Sequence, residues 1–189
     1  MKVLILINKV GLGDCIIHIN YIHEISKKYG KPVSILAKAN TKAKDLFEDD
    51  PYIDEVITLD RLTDSSGGHD GLRGFFKLAN DIKEKKFDKV FIFNSSLRYF
   101  LIFKFAGIKK IAQYPLFKKK GQHIVNTAKI FTENELNKIV STQPKLLISE
   151  DKILKARRDV SQNHKNIVLG LSASGQTKRW GIKNFIKLI

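Results

Sequence analysis

The sequence has little of what would place it outside the cell or inside a bilayer. It carries a single cysteine, Cys15, which excludes an internal disulfide framework and a multi-cysteine zinc site and suits a reducing compartment. It also lacks long hydrophobic runs. The apolar stretch Val3 to Ile7 is soon interrupted by Gly11, Gly13 and Asp14, with no small-residue cleavage site after it, and the stretch from Tyr99 to Ile108 is cut by Lys104. Neither approaches the roughly 20 apolar residues that a spanning helix needs. Acidic residues are scarce relative to basic ones: 19 Asp and Glu face 34 Lys and Arg, a net charge of +15. Such a field favours anionic partners, whether nucleic acid, acidic phospholipid or a phosphorylated sugar. The lysines are scattered and not gathered into one tail, so a solvated surface accounts for the excess as readily as a binding face.

What is present is a chain of 189 residues, 43% hydrophobic, enough for one good core and the beginning of a second. Lys2 to Asn8 reads as a strand buried on both faces. Glycine punctuation follows, then a helix from about Leu12 to Tyr29, with Ile17, Tyr21, Ile22, Ile25 and Tyr29 on one face. Gly30-Lys31-Pro32 stops that helix, and Val33 to Ala37 makes the next strand. The alternation repeats: a short helix from Thr41 to Phe47, a strand over Glu55–Leu59 and a helix over Leu72–Lys85. A strand over Lys89–Phe93, a helix over Ser95–Ala106 and a strand over Lys109–Gln113 complete it. This order predicts an α/β layer fold, a Rossmann-like parallel sheet flanked by helices.

Residues 60 to 74, with Ser65-Ser66-Gly67-Gly68 among them, read as a mobile loop. Beyond a helix near Thr127–Asn137 and a charged helix or linker over Asp151–Gln162, the text starts a fresh unit. Asn166–Leu171 reads as an apolar strand, Ser172-Ala173-Ser174-Gly175 as a small-residue turn, and Gly181–Ile189 as a helix without a cap. The expected organisation is one Rossmann-like domain over residues 1–163 and the start of a second over residues 164–189.

The turn Gly11-Leu12-Gly13-Asp14 is the first candidate site. A dinucleotide fingerprint is missing its third glycine, where Ile16 stands, and the second strand runs into Ala37-Lys38-Ala39 without an acidic residue; both absences count against a nicotinamide cofactor. At the tip of the first strand of a doubly wound sheet, the Asp14 carboxylate is placed to take a proton from an alcohol. It is equally placed to be a favourable first-turn acid of the helix. Position alone leaves both readings open.

The opening strand Val3-Leu4-Ile5-Leu6 with its Gly-x-Gly-Asp turn resembles the start of the lipopolysaccharide heptosyltransferases, glycosyltransferase family 9, inverting enzymes of GT-B fold that use ADP-heptose. The resemblance continues through Pro51-Tyr52-Ile53-Asp54-Glu55-Val56, Phe87-Asp88, Ser96-Leu97-Arg98 and Ala106-Gly107-Ile108. It ends at Gly170-Leu171-Ser172-Ala173-Ser174-Gly175 and Lys178-Arg179-Trp180, so it runs in order through nearly the whole chain. It implies the acceptor-side half of a GT-B enzyme followed by the beginning of its donor domain. It further implies transfer of heptose or a related sugar from ADP-heptose to a lipopolysaccharide-core or other envelope glycan. Asp14 is then the general base; Ser174, Gly175 and Lys178 bind the donor phosphates; Gly11, Gly13, Arg98 and His123 lie on the acceptor side. No metal and no cofactor beyond the nucleotide sugar is implied. The implied partners are the nucleotide sugar and an anionic glycolipid or saccharide, and the implied location is the cytoplasm, with peripheral contact to the inner membrane. The pattern departs at Gly181, where the family commonly has proline, and at Ser172, where some members have histidine.

Other residues have plain readings beside the functional ones. Arg98 suits an ordinary surface pair as well as an acidic acceptor, and His123 suits a helix cap. His18, His23 and His69 have no second ligand at metal spacing. Cys15 reads as a small packed side chain without a histidine partner, and Lys118-Lys119-Lys120 as a solvated loop or an anion contact. Two other classes remain in play: a non-catalytic basic module binding nucleic acid or a membrane surface, and a degenerate half-enzyme.

Overall fold

The computed structural model describes residues 1–8, 11–62, 64, 66–115, 123–160, 165–171 and 176–188. They fall into two compact units, Met1–Ile148 and Ser149–Ile189.

The first unit is built on a five-stranded sheet. Its strands are β1 (Val3–Ile7), β2 (Val33–Lys38), β3 (Ile53–Leu59), β4 (Lys89–Ile92) and β5 (Lys110–Gln113), in the order β3-β2-β1-β4-β5. Every pairing is parallel, with Ile5 opposite Ile35 on one side and Phe91 on the other. All five residues of β1 are buried, as a central strand covered on both faces requires. The period of two in the strand divides them. Val3, Ile5 and Ile7 meet Cys15, Ile19 and Ile22 of α1 (Leu12–Tyr29) and Ala128 and Phe131 of α5 (Ile124–Leu136). Leu4 and Leu6 face Leu78 and Ile82 of α3 (Gly71–Glu84) and Tyr99, Ile102 and Phe103 of α4 (Leu97–Phe105).

A 3₁₀ turn at Ala39–Thr41 and the one-turn α2 (Ala43–Leu46) link β2 to β3. Helix α1 ends where the chain says it should: Gly30 adopts φ 63° and its N–H returns to the Lys27 carbonyl, while Lys27 and Lys28 lie in the last turn, favourable for the helix dipole. His23 and Asp50, both buried, meet at 2.6 Å, and Asp50 also accepts the Tyr52 N–H at 3.0 Å, pinning α1 to the entrance of β3.

The described residues of the segment expected to be a mobile loop, 60–62, 64 and 66–74, include a network of hydrogen bonds. Asp70 is buried and accepts from Arg61 Nε at 2.7 Å and from the Leu62 and Gly67 N–H groups at 3.0 and 3.1 Å. His69 is buried too, its Nδ1 accepting the Asp60 N–H at 3.0 Å and its Nε2 donating to Asp81 at 3.1 Å. Within the described part of this stretch, the Asp70 and His69 side chains answer the backbone N–H groups of Asp60, Leu62 and Gly67, which polarity alone does not reveal.

The second unit contains α6 (Glu150–Asp159), a 3₁₀ turn at Gln176–Lys178 and α7 (Ile182–Leu188). The strand expected over Asn166–Leu171 is absent: those residues take no regular structure, and Ile167 and Val168 are 83% and 93% exposed. A strand needs a ladder partner, and the described residues of this unit offer none. The domain boundary expected at residue 163 lies outside the described residues.

Gly74 sets one sharp constraint. A Cβ there would lie 2.2 Å from the His69 carbonyl carbon, backbone that has no room to yield. Gly74→Ala is expected to destabilise the fold by about 1–3 kcal/mol, read as a lowered urea midpoint; an unchanged midpoint would show that the His69 loop is not packed against α3 as described.

Candidate functional site

In a sheet ordered β3-β2-β1-β4-β5 the direction of winding reverses between β1 and β4, and the connections leave those neighbouring strands in opposite directions. The crevice outside their carboxyl ends is the natural ligand position in such a sheet. It is flanked by the turn that leads from β1 into α1 and the turn that leads from β4 into α4.

The first wall is the Gly11–Asp14 turn. Gly11 is extended (φ −137°, ψ 160°) and caps α1 without a side chain. The Asp14 carboxylate supplies the missing acceptor: its Oδ2 takes the Gly11 N–H at 3.1 Å, and the Asp14 N–H donates to the Gly11 carbonyl at 3.1 Å. The carboxylate is half-buried, and its other oxygen has no hydrogen-bond partner among the described residues. The capping reading and the proton-accepting reading therefore use different oxygens of one group. Gly13 is exposed, and a Cβ there would meet nothing within 4 Å among the described residues, so neither their packing nor backbone strain demands glycine at that position.

His18 is the residue that sequence reasoning missed. It is buried one turn after Asp14, with Nδ1 2.6 Å from the Asp14 carbonyl oxygen. A carbonyl only accepts, so Nδ1 carries the proton. The ring stands edge-on to Phe93, at the end of β4, with centroids 4.9 Å apart. His18 thus braces the carboxylate-bearing turn against the opposite strand end. The signal was present in the i, i+4 spacing from Asp14, which puts both residues on one helical face.

The second wall begins at Asn94, whose Oδ1 accepts the Ser96 N–H at 2.7 Å. Gln113 at the end of β5 donates to the carbonyls of Asn94 and Ser96, each at 3.0 Å. Arg98 follows in the first turn of α4. Its Nη2 donates to the carbonyls of His69 and Gly71 at 3.0 and 2.8 Å, and its guanidinium lies 5.6 Å from the Phe75 ring. Arg98 thus ties the loop after β3 to the crevice turn, and Arg61 adds a bond to the buried Tyr99 hydroxyl at 3.2 Å.

The remaining candidates are placed as follows. His123 caps α5, its Nδ1 accepting the Val125 N–H at 3.3 Å. Cys15 is fully buried, and burial pushes its thiol up, outweighing a hydrogen bond with Thr41, which suits a packed side chain and not a nucleophile. Lys178 is exposed at the end of the 3₁₀ turn in the second unit. Ser174 and Gly175, with Ser172 and the lysines 118 to 120, lie outside the described residues. Among the described residues no group of three or more His, Cys, Asp or Glu side chains is placed to hold a metal ion, and no helix is long and apolar enough to cross a membrane.

No family model matches the chain, and no curated protein matches it significantly. Solved structures do. A glycosyl transferase family 9 protein from Veillonella parvula superposes with a TM-score of 0.72 at 17% identity, over 99% of this chain and 58% of its own. ADP-heptose lps heptosyltransferase II from E. coli superposes with a TM-score of 0.57 at 16% identity, over 84% of this chain and 50% of its own. The chain therefore spans little more than half the length of these structures and shares the fold of the matched part, the α/β parallel sheet expected from the sequence.

The Arg61–Asp70 pair that anchors the second wall gives a pH signature. The hydrogen bond from Arg61 holds the Asp70 carboxyl below its ordinary value. A depressed folded pKa contributes stability above the unfolded value near 4, lost as pH falls through the folded one. The urea midpoint is expected to drop as pH is lowered from about 5 to 3, and Asp70→Asn to lower the midpoint at pH 7 while flattening that acid slope. An equal slope in both proteins would remove Asp70 from the acid response.

Proposed function

We propose that this chain is the acceptor-side part of an inverting glycosyltransferase, together with the first residues of its donor side. The reaction is transfer of heptose or a related sugar from ADP-heptose to a lipopolysaccharide-core or other envelope glycan. The observation that carries the reading is Asp14: a half-buried carboxylate at the switch point of the sheet, one oxygen held by the Gly11 N–H and the other open. The likeness in fold to a glycosyl transferase family 9 structure and to an ADP-heptose-using enzyme supports it.

In this mechanism the open Asp14 oxygen accepts the proton of an acceptor hydroxyl as that oxygen attacks the anomeric carbon. The bond from that carbon to the diphosphate breaks on the opposite face, inverting the centre, and ADP leaves with the bonding electrons. The Gly11 N–H holds the carboxylate in place and His18, through the Asp14 carbonyl, holds the turn. Lys178, with Ser174 and Gly175, balances the charge that develops on the departing diphosphate. Arg98 and His123 stand on the acceptor side, and Gly13 leaves space for the sugar to approach the backbone. The enzyme works in the cytoplasm on a nucleotide sugar and an anionic acceptor. The +15 charge favours a second reading, a basic module that binds anions without catalysis; steeply salt-dependent oligonucleotide binding, indifferent to Asp14, would distinguish it.

The test uses the protein expressed from its complete reading frame, ADP-heptose and a core oligosaccharide acceptor. Asp14→Asn is expected to lower kcat by about 10²–10⁴-fold with acceptor binding retained, and turnover at the wild-type rate would overturn the assignment. Gly13→Ala is expected to raise stability by about 0.5–1 kcal/mol, through helix propensity, while raising KM for the acceptor. A destabilised Gly13→Ala protein would show that the glycine serves the fold.

A further inference from the structure

Two asparagines face each other at the switch point of the sheet, each with hydrogen-bonding capacity that the described residues leave unused. The row of side chains that β1 and β4 turn toward α3 and α4 consists of Leu4 and Leu6 on one strand and Val90 and Ile92 on the other. The period of two carries that row past the strand ends to Asn8 and Asn94. The parallel register sets Leu6 opposite Ile92, and the Phe93 N–H still donates to the Leu6 carbonyl at 3.1 Å. Continued by two residues, the same register sets Asn8 opposite Asn94. Aliphatic pairs thus give way to a carboxamide pair where the crevice opens.

Asn94 is held in one orientation. Its Oδ1 takes the Ser96 N–H at 2.7 Å, a bond that only the oxygen can make, so the amide nitrogen is the end left over. That nitrogen has no partner among the described residues. Gln113 fixes the turn by donating to the Asn94 and Ser96 carbonyls. Asn8 is the complement. Its Oδ1 is buried without a hydrogen-bond partner among the described residues, an arrangement that costs the fold free energy and calls for a donor. The residue as a whole is half-buried, and the last torsion of an asparagine is broad, so the carboxamide can turn to meet a group that enters the crevice. One donor and one acceptor, both on neutral side chains, select the ligand chemistry. A hydroxyl answers both, donating to Asn8 and accepting from Asn94. A carboxylate or a fully ionised phosphate has no proton to give Asn8, and an ammonium has no lone pair for Asn94.

We propose that Asn8 and Asn94 form a subsite for an uncharged saccharide hydroxyl, a second hydroxyl of the sugar whose reacting hydroxyl meets Asp14. The proposal rests on the reading of the crevice as an acceptor site, and it keeps the charged groups of the acceptor away from these two residues. The test is calorimetric titration of a core oligosaccharide, with ADP present, into the protein expressed from its complete reading frame. Asn94→Asp keeps an oxygen for the Ser96 N–H and removes the amide donor; it is expected to raise Kd about tenfold. Asn8→Ala is expected to raise Kd by a similar factor, with a urea midpoint equal to or above that of the wild type, because it deletes an unpaired buried oxygen. Should Asn94→Asp fail to fold, Asn8→Ala carries the test alone. Three results would each overturn the proposal: a wild type that does not bind the oligosaccharide, folded variants that bind it as the wild type does, or an Asn8→Ala midpoint below that of the wild type. Sugar transfer, measured on the same proteins, separates this outcome from the glycosyltransferase reading. A wild type that binds but transfers nothing, with both variants binding more weakly, upholds the subsite and removes the reaction. Transfer with Kd unchanged in the variants does the reverse.

Discussion

The parallel pairing of β1 with β4 is the constraint on which the rest of this chain depends. Five consecutive aliphatic residues, Val3 to Ile7, are buried, and their alternation sends three toward α1 and α5 and two toward α3 and α4. Because β1 stands between β2 and β4, the chain leaves the sheet in opposite directions from two adjacent strands. The two departing turns then open a cleft where each helix presents its N-terminus. The glycines, Asp14, His18 and Asn94 matter because that one topological fact sets them near each other.

Most of the first unit was legible in the sequence, since its strands are short apolar runs separated by glycine and its helices have clear faces. β1 and α1 fall within a residue or so of expectation, and Gly30 stops α1 as its φ requires. Two segments were misread for physical reasons. The polar, glycine-rich stretch near residue 67 looked unpacked because its order comes from side chains answering backbone groups: Asp70 gathers Arg61 and two N–H donors, and His69 bridges Asp60 and Asp81. No periodicity encodes such a network. The Asn166–Leu171 stretch has strand composition but no neighbour to pair with, and strand formation is a property of a pair and not of a segment.

The candidate site was legible in part. The Asp14 position follows from strand, glycine turn and helix, and the structure adds that capping and an open carboxylate oxygen coexist in one side chain. His18 was hidden because a buried histidine on a helix looks like any core residue until its partner, the Asp14 carbonyl, is known. Arg98 is already committed to two carbonyls of the His69 loop. Its most direct service is to join the crevice wall to that loop.

The account rests on the crevice between the ends of β1 and β4 being where an acceptor binds. Amide hydrogen exchange of the protein, with and without a core oligosaccharide and ADP, examines this directly and without reliance on turnover. Slowed exchange concentrated at residues 11–16 and 94–98 is predicted, because those N–H groups line the crevice. Slowing at the opposite ends of the strands instead, around Lys2, Asp88 and Lys110, would contradict it, as would no protection in either turn at saturating ligand.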